Sequence, residues 1–218
     1  MPTIDLTFDL AGTSIPLDYG YALFSALSRV VPSIHGDRRV GVHPIRGLRL
    51  EPRRLTLLPQ SRLRIRLPSE EVINYLAQAG TRLDLDGDPL QINMPRVEHL
   101  IPSASLTSRL VTIGHLTDPD PFLDSARLQL LALGVTASPS FLPDSAPSRE
   151  GRPTRRVLRI KSRRIVGHAL RIDGLTAEES LIVQEHGVGS RRRMGCGVFV
   201  PGVTARPDPR QPRANLGA

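Results

Sequence analysis

Six histidines, three tyrosines, one cysteine and one lysine are the side chains in this 218-residue chain best suited to moving protons or meeting a reacting group. Histidine comes first, because its ordinary pKa lets it give and take a proton near neutral pH. His35 follows a helix-spaced apolar stretch, in the loop SIHGDRR beside Arg38 and Arg39. His43, in VGVHPIRG, falls on an expected strand; a ring packed beneath that strand is the bland alternative. His186 ends the last expected helix, and His99, His115 and His168 read as structural. Tyr21 shares helical phase with Leu17 and Phe24, which favours a core position over a chemical one. Lys161 is the only lysine and stands in an arginine-rich strand. It suits either a contact to backbone phosphate or the stabilisation of a pentavalent phosphate.

Two constellations fail. Asp84, Asp86 and Asp88 in LDLDGD open like a calcium loop, but its twelfth position is Pro95 rather than glutamate. Cys196 has no second cysteine to pair with, which excludes an internal disulfide and a cysteine-rich zinc site. It reads as a small hydrophobe. No metal ligand set and no cofactor motif emerges.

The segment GVGSRRRMGCG (187–197) places Gly187, Gly189, Gly195 and Gly197 around Arg191, Arg192 and Arg193. Glycines admit positive φ and the close approach of a ligand, and the arginines would attract an anion. The spacing is neither a dinucleotide fingerprint, since position 192 is Arg, nor a P-loop, since no Lys-Ser/Thr follows Gly195.

These residues must be positioned by a fold that also collects charge. The chain carries +8 with a pI near 11.0. Residues 46–66 hold seven arginines against Glu51, and residues 149–171 hold eight arginines and Lys161 against Glu150. Arg156, Arg159, Arg163 and Arg164 lie in the second run. Charge gathered in this way fits a polyanion-binding face better than a membrane surface, because the runs alternate at strand period. No apolar run approaches a bilayer span and the N-terminus has no basic leader, so a cytoplasmic protein is expected.

The periodicity gives β-α-β-β-α-β twice: an α+β chain of two tandem ferredoxin-like units, 1–101 and 102–201. In the first, strands are expected at 3–10, 40–50, 62–67, 82–86 and 90–99, with helices at 17–31 and 69–80. In the second, strands are expected at 105–114, 156–161, 164–172 and 196–200, with helices at 121–133 and 176–185. Thr176 and Glu179 form a capping box. Residues 137–154 read as a long mobile loop and 202–218 as a disordered tail.

With the basic glycine-rich loop placed before the final strand, the chain resembles the CRISPR repeat-RNA endoribonucleases of the RAMP superfamily. The stretches AGTSIPLDYGYALFSALSRVVPSIH (11–35) and LIVQEHGVGSRRRMGCGVFVP (181–201) are similar to its Myxococcus-type branch. The resemblance covers residues 1 to about 201 and implies processing of precursor CRISPR RNA within its repeats, without a metal ion. It places a catalytic histidine just after the first helix, which His35 matches, and in some members a tyrosine in that helix, which Tyr21 matches. His43 stays a second candidate and Lys161 a third group near phosphate. Arg38, Arg39, the basic strands and the glycine-rich loop would hold RNA. Aromatics make up only 4% of the chain, so base stacking is a minor source of affinity and a folded hairpin is the better substrate. A non-catalytic RNA-binding subunit of a CRISPR effector complex, alongside other effector subunits, is the rival reading.

Overall fold

The computed structural model describes residues 2–144 and 152–202. The chain begins with β1 (Thr3–Ala11) and a short β2 (Ser14–Pro16), then α1 (Gly20–Val30). Pro32 closes α1 and opens a 3-10 turn, Pro32–His35. There follow β3 (Gly41–Val42), β4 (Arg54–Thr56), β5 (Arg62–Pro68), α2 (Val72–Leu76), β6 (Arg82–Leu85) and β7 (Asp88–His99). The first sheet has the order β3-β5-β1-β7-β6, antiparallel throughout, and β2 pairs with β4 beside it. Apart from the β6 hairpin this is the ferredoxin-like order, with β1 and β5 central.

The second half repeats it. β8 (Ser105–Val111) leads to α3 (Pro119–Ala132), β9 (Pro139–Phe141), β10 (Arg155–Ile160), β11 (Arg163–Asp173), α4 (Ala177–His186) and β12 (Val200–Pro201). Its sheet order is β10-β11-β8-β12, with β9 also pairing β11. The Thr176–Glu179 capping box forms in both directions. Each sheet has its own core: Leu6, Phe8, Leu23, Leu27 and Leu63 in the first, Phe122, Leu130, Leu170, Ile172 and Phe199 in the second. Full burial of such a side chain is worth roughly 1.5–3 kcal/mol.

Several expected elements are shorter. Of residues 40–50 only Gly41 and Val42 form a strand on β5; the His43 amide still donates to the Arg64 carbonyl at 2.9 Å, and Pro44, with no amide hydrogen, ends the ladder. The helix expected over 69–80 is a 3-10 turn plus Val72–Leu76; β-branched Val72 and Ile73 and then Asn74 are weak helix formers. The acids of LDLDGD build a tight hairpin. Asp86 and Gly87 both have positive φ, and the Asp84 carboxylate accepts the Gly87 amide at 2.9 Å. The final strand is confined to Val200–Pro201, although in the same register on β8 the Gly197 amide still donates to the Leu110 carbonyl at 2.7 Å. Within 137–154, Pro139–Phe141 is a strand that the Pro/Ser-rich composition hid, and residues 145–151 lie outside the described residues. So does the expected tail from 203 onward. No described helix is long and apolar enough to cross a membrane.

Candidate active site and nucleic-acid interface

His35 stands exposed at the end of the 3-10 turn, whose Ile34 is fully buried and anchors it. Its ring centroid is 5.8 Å from that of Phe24, one face of α1. Arg193, from the other unit, donates through Nη1 to the Ile34 carbonyl at 2.9 Å and to the His35 carbonyl. Its guanidinium lies 5.5 Å from the Phe24 ring centroid. Arg38 is exposed beside this turn. Arg39 instead folds back on Asp37 at 2.7 Å and Glu70 at 2.9 Å. That hydrogen bonding holds the Asp37 carboxyl below its ordinary range.

The structure does not bring Tyr21 to His35. Tyr21 sits half-buried in the first turn of α1 and packs on the first core. From there to Val30 the helix axis alone advances about 14 Å. Lys161 is likewise apart from the turn in the fold, exposed at the tip of the β10–β11 hairpin with φ 55°.

His43 is in the seam between the units rather than at a surface. β1 and β5 set Asp5 opposite Arg66. Arg66, 1% exposed, donates Nε and Nη2 to the two Asp5 carboxylate oxygens at 2.8 and 2.9 Å. Its Nη1 reaches across to the carbonyls of Gln184 and Phe199, at 2.8 and 2.7 Å. His43 Nε2 donates to Asp5 at 3.2 Å. Burial pushes the imidazole down to about 4 from 6.5, against the pull of Asp5, so it is neutral near pH 7. Burial works to raise the Asp5 carboxyl, but the hydrogen bonds from His43 and Arg66 outweigh it and keep it ionised. A neutral ring tied to an internal carboxylate serves the seam, and little of it is left for a ligand.

The glycine-rich loop belongs to the same seam. A Cβ on Gly187 would lie 2.2 Å from the Gly197 carbonyl oxygen, and one on Gly197 the same distance from that of Val188. Both glycines have positive φ. Their freedom therefore lets the chain cross itself, and the close approach expected for a ligand is made by backbone. Arg192 is buried and donates to the carbonyls of Arg39 at 3.3 Å and Gln184 at 3.5 Å. It holds protein, which corrects the expectation that it faces RNA. Arg193 is turned inward as described. Cys196 is fully buried, and desolvation pushes its thiol up to about 12, as a packing residue requires.

Two cavities carry the outward-facing charge. One, of about 540 Å³, opens between the units at the start of α1; Arg53, Arg109, Arg155, Arg156 and Arg159 line it above an apolar floor of Leu23, Leu110 and Leu158. Burial and the neighbouring Arg109 lower the Arg156 pKa, a site that would welcome an anion. The other, of about 460 Å³, is lined by Arg163, Arg164, Arg191 and His115. Arg191 there donates to Ser190 at 2.8 Å. Arg156, Arg163, Arg164 and Arg191 thus face open space, whereas Arg159 edges the first cavity while pairing with Asp18 at 3.5 Å.

His168 is a core residue, edge-on to Phe122 at 4.9 Å and donating to the Thr117 carbonyl at 2.9 Å. Among the described residues no three His, Cys, Asp or Glu side chains converge to hold a metal ion. Sequence reasoning missed Asp5, Arg66 and Gln184, and the wall residues Arg53 and Arg109. The opposite charges of Asp5 and Arg66 were visible, but only the strand register shows that they face each other.

Comparison with known proteins gives a consistent result. The family model described as "Cas6 Crispr" matches residues 4–204. The CRISPR-associated endonuclease Cas6 of Myxococcus xanthus (strain DK1622) is 41% identical over 201 residues, covering 92% of this chain and 82% of that protein. A solved structure from the characterization of a Cas6-related gene from Pyrococcus furiosus superposes with a TM-score of 0.66 at 13% identity, covering 93% of this chain and all 100% of that one. A RAMP protein binding different RNA substrates gives 0.62 at 12% identity, over 90% and 98%. These two structures share the tandem ferredoxin-like fold.

Proposed function

We propose that this chain, which belongs to the Cas6 family, is an endoribonuclease that cuts precursor CRISPR RNA within its repeats. The reaction needs no metal, because the RNA carries its own nucleophile. The 2′-OH attacks the adjacent phosphorus, losing its proton to a base. The bond to the 5′-oxygen breaks, and that oxygen takes a proton from an acid. The products are a 2′,3′-cyclic phosphate and a 5′-hydroxyl. His35 is the proposed general acid or base.

The observation that carries this reading is the contrast between two histidines. His35 is exposed on a turn held from both units, whereas His43 is locked into Asp5. The arginines of the β10–β11 hairpin and the two cavities supply phosphate contacts for a repeat hairpin, with affinity that falls steeply with salt. A residue such as His35 supplies typically 10²–10⁴-fold in rate, so the assignment is open to direct measurement.

The test is cleavage of an end-labelled repeat RNA, from the array beside the gene, in excess EDTA. A second substrate carries one 2′-deoxy nucleotide at the mapped cut. Cutting in EDTA that stops on 2′-deoxy substitution is the expected result. Cutting that survives the substitution overturns the 2′-OH mechanism, and tight binding with no cutting of either RNA favours the non-catalytic subunit.

A further inference from the structure

We propose that Arg193 is a positioning residue for His35, a role that rests on the reading of His35 above. The turn ends in carbonyls that a 3-10 segment leaves without partners of its own. Arg193 fills two of them, Ile34 and His35, with one nitrogen. The same guanidinium lies over Phe24, and Phe24 is also the ring against which the His35 imidazole rests. Arginine, backbone and imidazole are therefore linked by two routes, one through the carbonyl and one through the shared phenyl ring.

The arm that makes this contact is itself fixed. Arg191 has a left-handed backbone, φ 65° and ψ 34°, and Gly195 follows in the same region at φ 86°. Between them Arg192 is buried on the carbonyls of Arg39 and Gln184. The Met194 carbonyl packs so closely on α1 that a Cβ at Gly20 would lie 2.7 Å from its oxygen. Arg193 thus projects from a rigid loop of the second unit onto an exposed turn of the first. His35 has its working orientation only when the two units are docked. The basic middle of the loop, whose sequence suggests RNA contact, is in this respect a protein-to-protein clamp.

Catalytic geometry is sensitive on this scale: a 1 Å misplacement costs up to about 100-fold. Arg193→Met keeps the stem over Phe24 and removes both hydrogen bonds. The single-turnover rate at saturating protein should then fall about 10- to 100-fold. The Kd for repeat RNA should move less than about twofold, since no phosphate contact is lost. The His35 ring-proton NMR signals, assigned by their absence in His35→Ala, should shift. Arg193→Lys, which retains a donor, should recover part of the rate, and it carries the same test if the Met variant does not fold. Unmoved His35 signals would overturn the proposal. So would a weakened Kd with an unchanged saturated rate, which would make Arg193 an RNA contact. If His35→Ala itself cuts at the wild-type rate, the catalytic reading fails, while the NMR shift still reports whether Arg193 holds the turn.

Discussion

The glycine-rich loop and the β10–β11 hairpin are both dense in arginine, yet they use it in opposite ways. In the loop and the seam beneath it, Arg192, Arg193 and Arg66 donate to backbone carbonyls of the facing unit. On the hairpin, Arg155, Arg163 and Arg164 are exposed and edge two open cavities, and Arg159 beside them is tied only by an exposed pair with Asp18 at 3.5 Å. Charge density in a sequence therefore does not say what the charge holds. What decides is whether the donors of each guanidinium are already taken when the chain folds.

The largest effect should come from Asp5→Ala, which strands the buried guanidinium of Arg66. Breaking a buried pair in this way costs about 3–5 kcal/mol, readable as a lowered midpoint in urea unfolding. Acid should act on the same seam. His43 has its pKa lowered to about 4 when folded, so its contribution is complete above 6.5 and is lost as pH falls between those values. Asp5 is also lowered and adds a further loss at more acid pH. Unfolding midpoints measured from pH 7 to pH 4 should fall, and His43→Gln should flatten the upper part of that curve. Arg192→Met should cost roughly 1–3 kcal/mol through lost hydrogen bonds while leaving the salt dependence of RNA binding unchanged. The combined Arg159→Gln, Arg163→Gln, Arg164→Gln variant is the converse. Its stability should stay within about 0.5 kcal/mol of wild type. Its log–log salt slope for RNA binding should become shallower by about one for each phosphate contact removed.

Much of the fold is legible in the sequence. The alternation of TIDLTFDL, the spacing of α1 and the Thr176 capping box each have a local cause, and each forms. Order in the sheets also follows, since two β-α-β-β-α-β runs have few compact arrangements. The seam is less legible for a physical reason. Asp5 and Thr7 occupy the polar phase of β1, which reads as a solvent face, but the second unit covers it and both are buried. Farther along the same phase, Asp9 is partly exposed and pairs with Arg62 at 2.7 Å and Arg96 at 2.5 Å, as the alternation suggests. A two-residue period cannot say which end of a polar face another unit will cover. The glycine-rich loop was visible as a motif for the same local reasons, while its inward-facing role depends on a non-local crossing of Gly187 with Gly197.

The division of labour between these regions is tested most directly by one curve: single-turnover cleavage rate against protein concentration, in excess EDTA, for wild type, His35→Ala and the triple hairpin variant. The hairpin variant should need more protein to saturate but reach the wild-type plateau. His35→Ala should saturate where wild type does in a parallel binding assay, with a plateau at least about 100-fold lower. A hairpin variant that saturates like wild type, or a His35→Ala plateau equal to it, would contradict the account.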